Sequence, residues 1–268
     1  MPARRQSGVS KEKVGVTIVV PCFDEEPGMV DLQRKLHGAR ELLEQMYEVH
    51  LVLVDDGSAD NGWEAMANVF KAEPSCSLVR HATNQGIGAA ILTGIRCAET
   101  EIVCSMDSDC SYDPRELEKL VPLLVPGVDL VTASPYHPEG EVFGVPQWRV
   151  WLSKAASQLY RRVLTQKLHT YTSCFRVYRR SAILKLKLKR PGFLGVAELI
   201  GKLDLQGSAI VECPARLSTR VHGVSKMKTA QVSGGHLHLL AELLVLRVWR
   251  TLFGPPRPCL ASSDFNES

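Results

Sequence analysis

Five short runs rich in Val, Ile and Leu recur along the first half of the chain, with helix-like stretches between them. They are VGVTIVVP (14–21), VHLVLVDD (49–56), SCSLVRH (75–81), EIVCSMD (101–107) and VDLVTAS (128–134). Runs of this kind suit strands buried on both faces, and strands alternating with helices form a mostly parallel sheet covered on both sides. The intervening stretches have helical spacing. In VDLQRKLHGARELLEQM (30–46), Leu32, Leu36, Ala39, Leu43 and Met46 share one stripe. Asp60 is placed to cap GWEAMANVF, and GIGAAILTGIRCAE (86–99) follows the third run. DPRELEKLVPLL (113–124) opens with Asp113 as a cap and Pro114 at the first helical position.

Parallel sheets bind ligands at the carboxyl ends of their strands. Three of the runs end there on acids: PCFDEE after the first, Asp55–Asp56 on the second, and Asp107 with Asp109 on the fourth. Crowded carboxylates repel one another and lose hydration if buried. Either they stand in water on a turn, or a cation lies between them.

The second half is less regular. VPQWRVWLSKAASQLYRRVLTQ (145–166) and FLGVAELIGKLDL (193–205) are helix candidates, TSCFRVYRR (172–180) is strand-like and runs into a short helix, and Pro214 splits two short strands in SAIVECPARLSTRV. HLHLLAELLVLRVWRTLF (236–253) is strongly apolar but carries Glu242, Arg247 and Arg250. It is too short and too interrupted to span a bilayer. His236, Arg247, Arg250 and Thr251 fall on one narrow arc, which suits a helix lying in a membrane interface, or one packed on the domain or on a second copy.

Net charge is +3, too small to argue for a nucleic-acid partner, although RR pairs and KLKLKR (185–190) make the second half locally basic. The eight cysteines form no CxxC pair and several fall in apolar runs, which reads as free thiols in a reducing compartment. MPARRQSGVSKEK has no apolar core of a secretory signal. Oligomeric state leaves no mark.

Three motifs bear on the chemistry. NQGIGAAILTG mimics a dinucleotide fingerprint, but Ile91 stands where the third glycine belongs and the motif follows the third strand. A tight turn with close helix packing is the expected role. In MDSD, Asp107 and Asp109 are two apart, so an extended backbone would turn both carboxylates to one side. All-oxygen ligation without His or Cys suits Mg²⁺ or Mn²⁺, which complete their shells with substrate phosphates. In VDDGSAD, Gly57 allows the turn and Ser58 or Asp60 can cap the next helix, leaving Asp56 for a ligand's base or sugar.

VVPCFDEE, LVDDGSAD, NQGIGAA, MDSD and RVHGVSK occur in that order over roughly residues 14–228. Together they closely resemble glycosyltransferase family 2, in its dolichyl- and polyprenyl-phosphate sugar transferase branch. The resemblance implies an α/β GT-A fold over 12–232, with a nucleotide-sugar-binding half (12–134) and an acceptor half (135–232). An amphipathic helix (233–253) and a disordered tail (254–268) would follow. It places Pro21, Phe23, Glu25, Asp55 and Asp56 around the nucleotide, with Ser108 beside them. Asp107 and Asp109 would hold Mg²⁺ or Mn²⁺, and Ser111 stands where a third ligand often lies. Arg176, Arg220, Ser225 and Lys226 would meet donor or acceptor phosphates.

The implied reaction is inverting, metal-dependent transfer from a GDP- or UDP-sugar to a lipid phosphate at the cytoplasmic face of a membrane. A phosphate acceptor needs no general base. A sugar or glycolipid hydroxyl would need one, and Glu198 is the candidate. A catalytically silent, membrane-associated scaffold is the reading of another class. Three positions depart from the branch's pattern: Pro135 where an arginine is usual, Thr170 for an aspartate, and Cys174 for a glycine. The first two bear on acceptor identity. No Q-x-x-R-W element of processive synthases stands at its expected place.

Overall fold

A computed structural model describes residues 13–220 and 229–254. The first half builds as the alternation predicts. Strand β1 (Val14–Cys22) leads into helix α1 (Met29–Leu43), then β2 (Tyr47–Asp55), α2 (Gly62–Phe70), β3 (Cys76–Arg80), α3 (Ile87–Cys97), β4 (Ile102–Ser105) and, after a short helix, β5 (Val128–Ser134). That helix, α4 (Leu117–Leu120), is shorter than expected, with 3-10 turns at Pro114–Glu116 and Val121–Leu123. Pro122 has no amide hydrogen and cannot continue the α ladder. Asp113 accepts from the Arg115 amide at 3.0 Å, the expected cap.

The second half contributes β6 (Glu141–Phe143), α5 (Gln147–Val163), β7 (Arg176–Arg179), α6 (Arg180–Leu184), α7 (Phe193–Gln206), β8 (Ala209–Pro214), β9 (Arg216–Ser218) and α8 (Thr229–Phe253). Strand β6 is too short to show in the sequence, and α8 starts earlier than the pattern suggests. The expected tail beyond Gly254 lies outside the described residues.

The seven-stranded sheet runs β3-β2-β1-β4-β7-β5-β8, and β6 pairs with β9 alone. Strands β1 to β4 are mutually parallel, as are β5 and β8. Strand β7 alone runs antiparallel, between β4 and β5. Alternate residues feed the two faces. Ile18 and Val20 join Leu32, Leu36, Met66, Phe70 and Leu117 on one side, under α1, α2 and α4. Val19 joins Ile91, Tyr160, Ile200 and Leu243 on the other, under α3, α5, α7 and α8. Both layers exclude water from the sheet, so its polar business is confined to the strand ends.

Of the two settings that the polar arc of α8 allows, its inner residues take the packed one: His236 Nδ1 lies 2.8 Å from Tyr160 Oη, and Arg247 donates to the Val163 carbonyl, so both dock on α5. Glu242 pairs with Arg190 at 2.8 Å and Lys189 at 2.9 Å. Leu239, Leu240 and Leu243 are buried against the domain, while Val245, Val248, Trp249, Leu252 and Phe253 are exposed. The helix thus has apolar residues on both sides, while Glu242 and Arg247 pair with the domain. Among the described residues no helix is long and apolar enough to cross a membrane.

Candidate active site

The strand register gathers the acidic segments at one edge. Cys22 of β1 lies level with Asp55 of β2. The Met106 amide bonds the Val19 carbonyl at 3.1 Å, carrying β4 one residue further beside β1. Arg176 of β7 pairs with Ser105, so the segment before β7 arrives at the same edge. Strand order reverses around β1, and crevices for ligands open at such points.

The chain turns at once after β4. The Cys110 amide bonds the Asp107 carbonyl at 3.2 Å, and Cys110 has φ +50°. Asp107 and Asp109 therefore come together through a turn, not through extended alternation. Asp109 Oδ1 accepts from the Ser111 amide at 2.9 Å. Its Oδ2 meets Arg220 Nη2 at 2.8 Å, and Arg220 Nη1 lies 3.9 Å from Glu25 Oε1. Burial, and next the charge of Asp109, push the Asp107 carboxyl up to about 7. Cys174, Arg220 and Arg176 pull the other way more weakly.

These residues fit a divalent ion. Two oxygen-bearing side chains that repel one another gain from a cation between them. Among the described residues no three His, Cys, Asp or Glu side chains cluster as a complete cage. The protein thus offers a partial oxygen set, the kind that Mg²⁺ or Mn²⁺ completes with substrate phosphate oxygens. Ser111 shares the turn through its amide and also lines a neighbouring groove of about 850 Å³ with Lys35, Arg115 and Arg216.

Other expected residues are placed differently. Asp56 is not spare. It is 2 % exposed and accepts from the Gln85 amide at 2.9 Å, the Gly86 amide at 2.7 Å and His81 Nδ1 at 2.7 Å. It holds the NQG turn to the sheet. Asp55 is buried too, its Oδ2 3.1 Å from Arg80 and its Oδ1 bonded to Ser58. Ser58 Oγ in turn accepts from the Asp24 amide, and Asp24 Oδ1 from Ala59, lacing the first two strand ends together. Pro21 is buried within β1 opposite Val54, whereas Phe23 and Glu25 are partly exposed beyond its end. Ser108 sits between the two aspartates, partly exposed.

Arg176 does not reach out to a phosphate. It is wholly buried and donates to the carbonyls of Val196 at 2.7 Å and Tyr171 at 2.9 Å. Only its charge is felt at Asp107. Glu198 is likewise sealed at 0 % exposure. It accepts from the amides of Lys189 and Arg190, and Lys202 Nζ lies 2.7 Å away. A carboxylate so fully engaged is no general base for a bound hydroxyl. Ser225 and Lys226 lie outside the described residues.

Two neighbours were missed. His81 ends β3 as the acids end β1 and β2, a position that could have marked it; its Nε2 also meets Thr93 Oγ1 at 3.0 Å. Cys174, noted above only as a departure from the branch's glycine, lies beside Asp107 and favours its charged form. The glycines of NQGIGAA do serve close packing. A Cβ at Gly86 or Gly88 would sit within 3.0 Å of the Pro191–Gly192 backbone, and the Ala89 amide bonds the Pro191 carbonyl at 2.7 Å.

A mostly parallel sheet with paired aspartates at its reversal edge is the arrangement expected of a GT-A glycosyltransferase, and the family match agrees with it. Residues 17–187, more than half of the chain, match the family described as glycosyl transferase family 2, and the chain belongs to that family. It is 29 % identical over 245 residues to polyprenol monophosphomannose synthase of Mycolicibacterium smegmatis, covering 87 % of this chain and 90 % of that one. It is 28 % identical to the undecaprenyl-phosphate 4-deoxy-4-formamido-L-arabinose transferase of Pseudomonas paraeruginosa, spanning 85 % of this chain and 64 % of the relative. Glucosyl-3-phosphoglycerate synthase of Mycobacterium tuberculosis, solved with Mn²⁺, UDP and its product, shares the fold. Its TM-score is 0.65 at 19 % identity, over 87 % of this chain and 80 % of that one. The same enzyme solved with Mg²⁺ and UDP gives a TM-score of 0.64 at 20 % identity, with the same coverage.

Proposed function

We propose that the chain is an inverting, metal-dependent transferase that moves a sugar from a GDP- or UDP-sugar to a polyprenyl-phosphate-type lipid at a membrane surface. The observation that carries this is the meeting of Asp107, Asp109, Glu25 and Arg220 at the reversal edge of the sheet. The leaving group is a nucleoside diphosphate, whose oxygens gain charge as the glycosidic bond breaks. Bound at Asp107 and Asp109, Mg²⁺ or Mn²⁺ would supply the positive charge that stabilises it. Arg220 adds a planar guanidinium suited to two phosphate oxygens at once.

The acceptor class rests on two supports. The named relatives act on polyprenyl phosphates. The sealing of Glu198 leaves a hydroxyl acceptor without the base expected for it, whereas a phosphate arrives already ionised. A membrane surface fits the exposed apolar side of α8 together with Trp148 and Trp151 on α5. All seven cysteines among the described residues are unpaired, which suits the cytoplasmic face.

The test is donor binding and transfer by purified protein, with a panel of GDP- and UDP-sugars, in Mn²⁺, Mg²⁺ or chelator. One donor should bind with metal, and Asp107→Ala and Asp109→Ala should abolish transfer to a short polyprenyl phosphate. Transfer to a glycolipid hydroxyl but not to the lipid phosphate would overturn the acceptor. Metal-indifferent transfer would overturn the metal.

A further inference from the structure

The ion pair between Arg220 and Asp109 closes off the position that a divalent ion would share. Asp109 Oδ2 is held by Arg220 Nη2 at 2.8 Å, and its Oδ1 is committed to the Ser111 amide. The Asp109 side chain is only 8 % exposed, so this pair is poorly screened by solvent. The other arm of the same guanidinium points to Glu25, 3.9 Å away. One tethered cation thus bridges the end of β1 and the turn after β4, on one of the two aspartates that would hold a divalent ion.

Resting on the glycosyltransferase reading above, we infer that Arg220 is a resident counter-cation: it occupies Asp109 until a nucleoside diphosphate draws it off, so that the chain takes up its divalent ion only together with nucleotide. Arg220 cannot be released into the site without partners, because a freed guanidinium would face a second positive charge a few ångströms away. A diphosphate removes that obstacle. It brings its own negative charge and offers the guanidinium a two-toothed partner in place of Asp109. Both cations then find anions, and neither faces the other unshielded. When nucleotide departs, Arg220 has only the acids to return to. Positive coupling between metal and nucleotide follows, and it must be equal in both directions.

The coupling places a definite role on this chain's residues. Glu25 keeps the guanidinium near the edge whichever partner it holds. Asp107, which Arg220 does not touch within ion-pair distance, feels only the weaker pull of its charge. Arg220 is therefore a positioning residue that acts through Asp109, and its effect must show in binding measured without any turnover.

The experiment is Mn²⁺ binding to the full chain, followed by electron paramagnetic resonance and by calorimetry, with and without UDP or GDP. In the wild type, Mn²⁺ alone should bind weakly, and nucleotide should tighten it by the same factor by which Mn²⁺ tightens nucleotide. Arg220→Gln should bind Mn²⁺ alone on the order of tenfold more tightly, since one nearby positive charge is gone. In that variant the coupling factor should fall, leaving only the part that the phosphate oxygens contribute as direct ligands of the ion. Arg220→Lys, which keeps the charge and loses the fork, should keep weak Mn²⁺ binding while nucleotide affinity drops. Circular dichroism confirms that each variant is folded. If Arg220→Gln binds Mn²⁺ no better than wild type and keeps the full coupling, the inference is overturned while the glycosyltransferase reading stands. If the folded wild type binds no nucleotide under any metal condition, both are overturned.

Discussion

Asp56 and His81 share a 2.7 Å hydrogen bond at the ends of neighbouring strands, and the same carboxylate takes the Gln85 and Gly86 amides. One buried side chain thus fixes the entry of α3 to the edge of the sheet. Asp56→Ala leaves two backbone donors without their acceptor. The loss should be roughly 2–4 kcal/mol of stability, read by urea unfolding. A loss within experimental error would show that the turn holds itself.

Gly88 is tested by a single methyl group. Its Cβ would come within 2.8 Å of the Pro191 and Gly192 carbonyl oxygens, both fixed backbone. Gly88→Ala should cost about 1–3 kcal/mol through overpacking. Gly127, which meets nothing within 4 Å but has φ +92°, is a control in which only backbone strain acts.

Asp107 bears a cost in the metal-free protein, because burial and Asp109 both oppose its charge. Asp107→Asn keeps the shape and deletes that charge. The metal-free variant should be about 1 kcal/mol more stable than wild type at neutral pH, and inactive in transfer. Thermal melting measures the first, a radiolabelled donor the second. A destabilised variant would mean that Asp107 has a partner which compensates its charge.

Glu242 carries the acid sensitivity of α8. Hydrogen bonds from Lys189 and then Arg190 hold its carboxyl down at about 2. A depressed carboxylate contributes stability above its unfolded value, near 4.5, and loses it as pH falls through the folded one. The protection factors of α8 amides, measured against the intrinsic exchange rate at each pH, should therefore fall between about pH 4.5 and 2 in the wild type. Glu242→Gln should remove that step. Lys189 is mostly exposed, so added salt should weaken the effect.

The outer side of α8 predicts a separable defect. Val245 and Leu252 are more than two-thirds exposed, so Val245→Glu with Leu252→Glu should leave the melting temperature unchanged. Sedimentation with anionic phospholipid vesicles should fall at least tenfold, at about 10 % of wild-type binding or less. Undiminished vesicle binding would remove the membrane from the proposal.

The strand-and-acid pattern was legible because it is local: apolar runs set the strands, and the acids terminate them. What escaped was tertiary. Arg176 and Glu198 looked like reactive groups because a sequence does not show that two carbonyls, or two amides and a lysine, are waiting in the core. Asp56 looked spare for the same reason, its partners lying 25 to 30 residues away. The polar arc of α8 is legible in the sequence, but a helical wheel carries no information about which side meets the domain. The order of β7 in the sheet was equally hidden, because a four-residue strand has no signature of direction.

That reversed strand has a mechanical meaning. Ladder pairing runs without interruption from β4 through β7 to β5, with four residue pairs on one flank and three on the other. Enzymes that hold two substrates in separate lobes can open and shut like a jaw. Here a jaw would have to tear a continuous sheet, so the scaffold is a fixed bench. Any freedom to move is left to the turns that rise from its edge.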